Sequence, residues 1–376
     1  MIPCLHMEKV DYVLITQADS LAEICHRANQ VGIVSMDTEF MREKVYFGEL
    51  CLLQMAIEQT YFVIDIIALK DNNQNQSLKP LADLLESSAV TKVFHSCSQD
   101  IDVLYHSLGV IPEKIFDTQL AAAFCGHNGQ VGYANLVLDL FNIELDKSQT
   151  RTDWKRRPLT MKQLEYAAND VVYLQSLYDT FQQKMHDLER MEWFLQESDT
   201  LIKTVIDQNN PYKAYKKLNG SNMPLRNQAL LKFLANLREN VAQKIDKPRT
   251  WILKDSDLYD LANAMPNSEK SLFSLRINSK FLKSQAKDII HFVHQIEENK
   301  LEPVWYNWQP LTNEQKALVK KMNSKLTHFS ENQGIARNII ANRKDLEKFV
   351  VGKEARFEKG WRAELVGDLF RKEMQG

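Results

Sequence analysis

No apolar run in this chain approaches the roughly 20 residues that a helix needs to cross a bilayer. The opening Met1 to Val10 has neither a basic start nor an apolar signal core, so export is not expected, and Met7 offers an alternative start. The five cysteines, Cys4, Cys25, Cys51, Cys97 and Cys125, are an odd set without C-x-x-C spacing, which speaks against a zinc site or a disulfide framework. Most fall in apolar segments, where a free thiol behaves as a small hydrophobe, and the expectation is a reduced, cytoplasmic protein. There is no low-complexity tract. Net charge is also nearly absent, at −2, but the small value hides an asymmetry. Residues 1–225 hold 20 Lys+Arg against 30 Asp+Glu, whereas residues 226–376 hold 27 against 19. An acidic front and a basic back imply a division of labour in which the back half contacts a polyanion.

What is present is an ordinary globular composition, with 44% hydrophobic and 26% charged residues. A length of 376 residues exceeds a typical single core and predicts two or three domains. Strand-like runs at Tyr12–Ile15, Ile33–Met36, Leu50–Ile57 and Tyr61–Ile64 are rich in β-branched and aromatic residues. Three of them in succession predict an antiparallel meander. A helix with Ser20 and Glu23 as its capping box follows the first strand, and a short strand at Lys92–His95 precedes a helix beginning near Ser98. Mixed order of this kind predicts an α/β sheet with helices on its faces. Thr160 and Gln163 form a second capping box, opening a helix expected to run through Tyr166 and Asp170 to Phe181. Beyond it, the expected organisation is a catalytic α/β domain over 1–210, a linker at 211–225 and two small all-α domains at 226–300 and 301–376.

The chemistry lies in clustered carboxylates. Asp37 and Glu39 sit two apart at the end of the run Ile33–Met36, so a strand points both to one face. Tyr166 and Asp170 are four apart and share a face of the expected helix. Asp100, in His95-Ser96-Cys97-Ser98-Gln99-Asp100, falls in the first turn of a helix, where the dipole favours a carboxylate. Like charges gathered by a fold call for cations, and hard oxygen donors suit divalent metal ions. Two such ions about 3.5–4 Å apart stabilise both the attacking and the leaving oxygen of a phosphodiester displacement. Tyr166, with an unperturbed pKa near 10, suits orienting a water better than deprotonating it unaided.

Together these segments resemble the ribonuclease D family of DEDD-type 3′→5′ exonucleases, in the branch whose third motif carries a tyrosine. Ser35-Met36-Asp37-Thr38-Glu39-Phe40 is similar to the first exonuclease motif. His95 to Asp100, followed by Ile101-Asp102-Val103-Leu104, resembles the second, and Glu165 to Asp170 the third. Asp117-Thr118-Gln119 and Thr152-Asp153-Trp154 also look like family segments. The resemblance implies a ribonuclease H-like mixed sheet flanked by helices, with Asp37, Glu39, Asp100 and Asp170 holding two Mg2+ or Mn2+ ions and Tyr166 placing the nucleophile. It implies tentative substrate contacts at Thr38, Phe40, His95 and Trp154. Phe40 would stack on the terminal base, and Trp154, beside Arg151, Lys155, Arg156 and Arg157, would lie where the substrate enters.

Residues 226–299 resemble the helical domain shared by helicases and ribonuclease D, and 311–376 look like a divergent second copy. The implied activity is removal of RNA 3′ nucleotides one at a time as 5′-monophosphates, with tRNA precursors as the main substrate. No membrane or obligate protein partner is expected, and the chain is expected to be a monomer. A DNA exonuclease of the same fold and a catalytically silent nucleic-acid-binding scaffold are the competing readings.

Overall fold

The near-continuous apolar run Glu49–Ile57 is the middle of the molecule's main sheet, and eight of its nine residues are buried. Runs of this kind are what a strand covered on both faces requires. The computed structural model describes residues 5–6, 10–146, 152–275, 277, 280–297, 300–305 and 310–374. Cys4 and Arg151 therefore lie outside the described residues, while Cys25, Cys51, Cys97 and Cys125 are buried free thiols.

Six strands form the sheet: β1 (Tyr12–Ile15), β2 (Ile33–Met41), β3 (Glu49–Ile57), β4 (Thr60–Asp65), β5 (Thr91–Phe94) and β6 (Ile115–Asp117). Their spatial order is β1-β4-β3-β2-β5-β6. The expected meander is present, since β2, β3 and β4 pair antiparallel in succession. The outer pairings, β1 with β4, β2 with β5 and β5 with β6, are parallel. The sheet is mixed, as the alternating order of elements requires.

Helices α1 (Ala18–Val31), α2 (Lys79–Glu86) and α3 (Ser98–Leu108) lie between strands, and α4 (Thr118–Phe124), α5 (Met161–Asn169), α6 (Leu174–Asp187) and α7 (Met191–Asp207) follow the last one. Two expectations need correction. Helix α1 begins before Ser20, with Gln17 as its N-cap, so Ser20 and Glu23 are already inside the helix and make no capping box. The helix expected from Thr160 to Phe181 is two helices. Thr160 and Gln163 do form their capping box, but α5 stops at Asn169, Asp170 caps its C-terminus, and α6 starts at Leu174.

The chain divides into two compact units. The first comprises residues 1–41, 49–202 and 311–376, and the second comprises 42–48 and 203–310. In the second unit, α8 (Leu225–Lys244), α9 (Arg249–Ile252), α10 (Asp255–Ala264) and α11 (Lys280–Gln295) surround a core that includes Leu230, Leu234, Leu258, Leu261 and Ile289. The stretch 211–225, read from sequence as a linker, holds the 3-10 helix Pro211–Lys217, whose Ala214 and the following Leu218 join that core.

The chain then re-enters the first unit through α12 (Asn313–Gln333), α13 (Arg343–Val350) and α14 (Gly360–Met374). These helices share one apolar cluster with the sheet domain: Phe124, Phe181 and Phe194 lie in it with Met322, Phe357, Trp361 and Phe370. Burial of this extent makes residues 311–376 part of the first unit's core, a relationship that no local pattern in the sequence carries.

Candidate active site

Strand β2 outruns its parallel neighbour. Its pairing with β5 ends at Ser35 opposite Val93, while its pairing with β3 continues to Met41 opposite Glu49. Asp37 and Glu39 lie on this protruding stretch, alternating with buried Met36 and Thr38. The register on β3 shifts between Glu39 and Phe40, a bulge of the sort that re-aims side chains beside functional sites.

Asp170 arrives from the break between α5 and α6. Carboxylate oxygens of Asp37, Glu39 and Asp170 all lie within 4.8 Å of one another. The Tyr166 hydroxyl donates to the Asp170 carboxylate, so the expected Tyr166–Asp170 pairing holds although the helix between them ends. Asp100 joins from the first turn of α3 and is 7% exposed. Thr38 Oγ1 donates to its Oδ1 at 2.5 Å.

Electrostatics express the crowding. Burial, then the Asp100, Asp170 and Glu39 carboxylates, raise Asp37 well above the usual carboxylate range. Burial and the charges of Asp170 and Asp100 push Glu39 up to about 9. Asp170 is raised to about 7, chiefly by burial, against the opposing Tyr166 hydrogen bond. Asp100 is raised to about 6, also by burial, against the hydrogen bond from Thr38. Four carboxylates that resist ionising together are a donor set that fits hard divalent cations, which remove the repulsion and take oxygen ligands.

The tentative substrate contacts fare differently. Phe40 is half-buried on β2. Thr38 is 6% exposed, and its hydroxyl is committed to Asp100 rather than open to substrate. The His95 ring nitrogens lie 2.9 Å from Thr118 Oγ1 and 3.0 Å from the Val131 carbonyl oxygen, so the imidazole bridges two elements of the fold. Trp154 is 2% exposed and packs behind Tyr166, ring centroids 6.2 Å apart, with Leu164, Ala167 and Ala168 in the same cluster. Its indole has no face left for a base. The neighbouring basic residues are also used internally: Arg157 grips Asp65 through Nε and Nη2 at 2.7 and 2.8 Å, and Lys155 pairs with Glu49.

Two supporting residues escaped the sequence reading. Asp117, 2% exposed, accepts from the backbone N–H groups of Ser96 (3.0 Å) and Cys97 (2.9 Å) as well as capping α4. It holds the turn, with Ser96 at φ 62°, that aims α3 and hence Asp100. The only signal was its place in a family-like segment. Tyr133 donates its hydroxyl to the Asn169 carbonyl oxygen at 3.3 Å and accepts from the Tyr173 N–H at 2.9 Å, bracketing the break that presents Asp170.

The chain as a whole is similar to known proteins. The family model of the 3'-5' exonuclease matches residues 12–186, and that of the HRDC domain matches residues 227–293. Ribonuclease D of Bartonella henselae is 35% identical over 370 residues, which cover 96% of this chain and 90% of that protein. Ribonuclease D of Jannaschia sp. is 34% identical over 361 residues, covering 94% and 92%. The crystal structure of Escherichia coli RNase D, an exoribonuclease involved in structured RNA processing, aligns with a TM-score of 0.81 at 27% identity, covering 97% of this chain and 99% of that one.

Proposed function

The chain belongs to the ribonuclease D family of 3′→5′ exoribonucleases, and from that premise we propose that Asp37, Glu39, Asp100 and Asp170 hold two divalent cations, Mg2+ or Mn2+, for stepwise hydrolysis of RNA 3′ ends. The observation that carries this reading is the convergence of the Asp37, Glu39 and Asp170 oxygens within 4.8 Å, beside an Asp100 fixed by Thr38. When bound, the cations supply charge stabilisation to the oxygens that gain negative charge as a phosphodiester is displaced.

The protein's own groups do the rest. Asp37, Glu39 and Asp170 would hold the cation that serves the attacking water, and Asp37 with Asp100 would hold the one that serves the leaving oxygen. Tyr166, whose hydroxyl already reaches Asp170, orients the water. Trp154 backs the Tyr166 ring and keeps it in place. The products are 5′-mononucleotides.

We infer that the substrates are tRNA precursors with 3′ extensions, processed in the cytoplasm by a monomer. The HRDC domain and the basic surplus of residues 226–376 support a role in holding structured RNA. No helix among the described residues is long and apolar enough to cross a membrane.

The test is cleavage of a 5′-labelled 3′-extended tRNA with and without Mg2+, resolving each product length, beside a matched DNA strand. The expected result is a metal-dependent ladder of single-nucleotide steps on RNA, absent in Asp37→Asn. Endonucleolytic fragments or equal rates on DNA would overturn the substrate reading.

A further inference from the structure

The segment that follows the carboxylate-bearing strand, residues 42–48, belongs to the second unit, and its Arg42, Glu43, Val45 and Tyr46 line a cavity of about 390 Å³ there. That volume falls within the range of ordinary ligand pockets. Three of its lining residues, Tyr46, Lys217 and Arg249, converge on Glu239, which is 1% exposed. Tyr46, itself 4% exposed, donates its hydroxyl to Glu239 Oε1 at 2.5 Å. The same oxygen lies 3.1 Å from Arg249 Nη2 and 3.7 Å from Lys217 Nζ. Asp246 Oδ1 accepts from the Tyr46 and Phe47 N–H groups at 2.9 and 3.1 Å, which fixes the segment. Arg42 joins the lining, with its Nε donating to the Tyr46 carbonyl oxygen at 3.0 Å.

The chemistry of this lining is cationic. Arg42, Lys217 and Arg249 line it together with the carboxylate of Glu43, and Oε1 of the buried Glu239 is engaged by Tyr46, Lys217 and Arg249. The side chains of the lining residues Lys217 and Arg249 remain 40% and 29% exposed after meeting Glu239, and Lys217 Nζ also donates to the Gln208 carbonyl oxygen at 3.1 Å. Burial and then the adjacent Arg249 guanidinium lower the Lys217 ammonium from its usual value. Two aromatic residues close in sequence to the lining are exposed. Trp251 follows the lining residue Thr250 and is 61% exposed, and Tyr212, three residues beyond the lining residue Asn209, is 74% exposed. Exposed large rings beside converging cations are the pattern that binds single-stranded nucleic acid, with charge on the backbone and π-faces for the bases.

We propose that this cavity seats a phosphodiester of the RNA strand on Arg42, Lys217 and Arg249, with Trp251 and Tyr212 offering stacking faces to neighbouring bases. The proposal rests on the exoribonuclease reading in taking RNA as the ligand. It assigns a backbone subsite within the second unit, on residues other than the four carboxylates.

Binding of a 5′-fluorescein-labelled 12-nucleotide single-stranded RNA to the full chain, read by anisotropy in EDTA across a salt series, tests it. The Arg42→Gln/Lys217→Gln double variant should bind about 10-fold more weakly, with the salt slope flattened by about 0.7 for each phosphate no longer neutralised. Trp251→Ala, at an exposed position where folding is not at stake, should weaken binding about 10-fold with the slope unchanged. Hydrolysis of a dinucleotide, whose only phosphodiester is the scissile one, should keep its kcat/KM in both variants with Mg2+.

Wild-type affinity and slope in both variants would overturn the proposal, and so would an equal loss on the dinucleotide. Inorganic phosphate and a nucleoside 5′-monophosphate supply the other source of the same anion. If either raises the melting temperature of the wild type but not of the double variant, while 12-mer binding is equal in the two, the cavity serves free phosphate and the RNA assignment falls. Failure of the wild type to hydrolyse RNA would strike the catalytic reading alone, because the binding arm is measured without metal.

Discussion

The Thr38 hydroxyl donates to Asp100 Oδ1 at 2.5 Å, so the strand that carries Asp37 and Glu39 also fixes the carboxylate brought by α3. The bond favours ionised Asp100 against the burial that raises its pKa to about 6. Thr38→Val keeps the branched shape and removes the donor, so Asp100 holds its proton to higher pH. Turnover at pH 6.5 should fall about 10- to 100-fold, the usual cost of losing a partner that orients a ligand. Part of the loss should return at pH 8.5, because the acidic limb of the pH–rate profile moves upward. An unshifted profile at wild-type rate would show that the bond does not tune Asp100.

The raised carboxylates also link stability to pH and to metal. Below about pH 4 they are protonated in both the folded and the unfolded chain and contribute no difference. As pH rises, the unfolded chain loses its protons first, so the metal-free fold is progressively weakened until the folded groups ionise, near 6 for Asp100, 7 for Asp170 and 9 for Glu39. In EDTA at pH 8, Asp170→Asn should therefore melt above the wild type, and the two should converge toward pH 4. Saturating Mg2+ reverses the order, since a ligand at 100 times its Kd stabilises the binding-competent protein by about 2.7 kcal/mol. Calorimetry at pH 7 in two buffers of different ionisation enthalpy should detect proton release on Mg2+ binding. A metal-free melting gap that ignores pH would refute the linkage.

Trp154 separates packing from substrate contact. Its ring is 2% exposed and lies behind Tyr166, which in turn reaches Asp170. Trp154→Ala should cost about 3–5 kcal/mol of stability, the range for removing a buried aromatic of this size. Trp154→Phe retains part of the support and should lower kcat while leaving the affinity for single-stranded RNA unchanged. Tyr166→Phe should do the same without the loss of stability. A fall in RNA affinity in Trp154→Phe that matches its fall in rate would restore the stacking role.

Legibility in the sequence followed the range of the interaction. The alternation around Asp37 and Glu39, the meander and the Thr160–Gln163 capping box depend on residues a few positions apart, and each is present. Asp117 was legible only as part of a segment, because its work is done across 20 residues on the Ser96–Cys97 turn. The aromatic-basic stretch around Trp154 looked like a nucleic-acid contact because its partners, Asp65 and Glu49, come from strands far away in the chain. Ser20 and Glu23 had the spacing of a capping box, but the helix had already begun at Ala18.

The helices at 311–376 lead to the last prediction. Arg190, 6% exposed, donates to three carbonyl oxygens, Phe124 (2.6 Å), Gly334 (2.8 Å) and Gln333 (2.5 Å). Trp361 stacks on Trp193 at 5.3 Å and 17°, and touches Phe124 at 5.3 Å. Arg362 meets Glu197 through both terminal nitrogens. A chain ending at Pro310 would expose Phe124, Phe194 and Trp193 and leave Arg190 with one of its three acceptors. The loss should be of folding, seen as an insoluble product or a non-cooperative melt, and not a selective loss of affinity for structured RNA. Arg190→Met isolates the polar part of this joint. It strands the carbonyls without a donor at about 1–3 kcal/mol for each group that stays buried, so the melting temperature should drop by several degrees. Because Arg190 lies outside the carboxylate cluster, kcat measured well below that temperature should remain near wild type. A truncated chain that unfolds cooperatively at the full-length melting temperature would show that the first unit does not need these helices for its core.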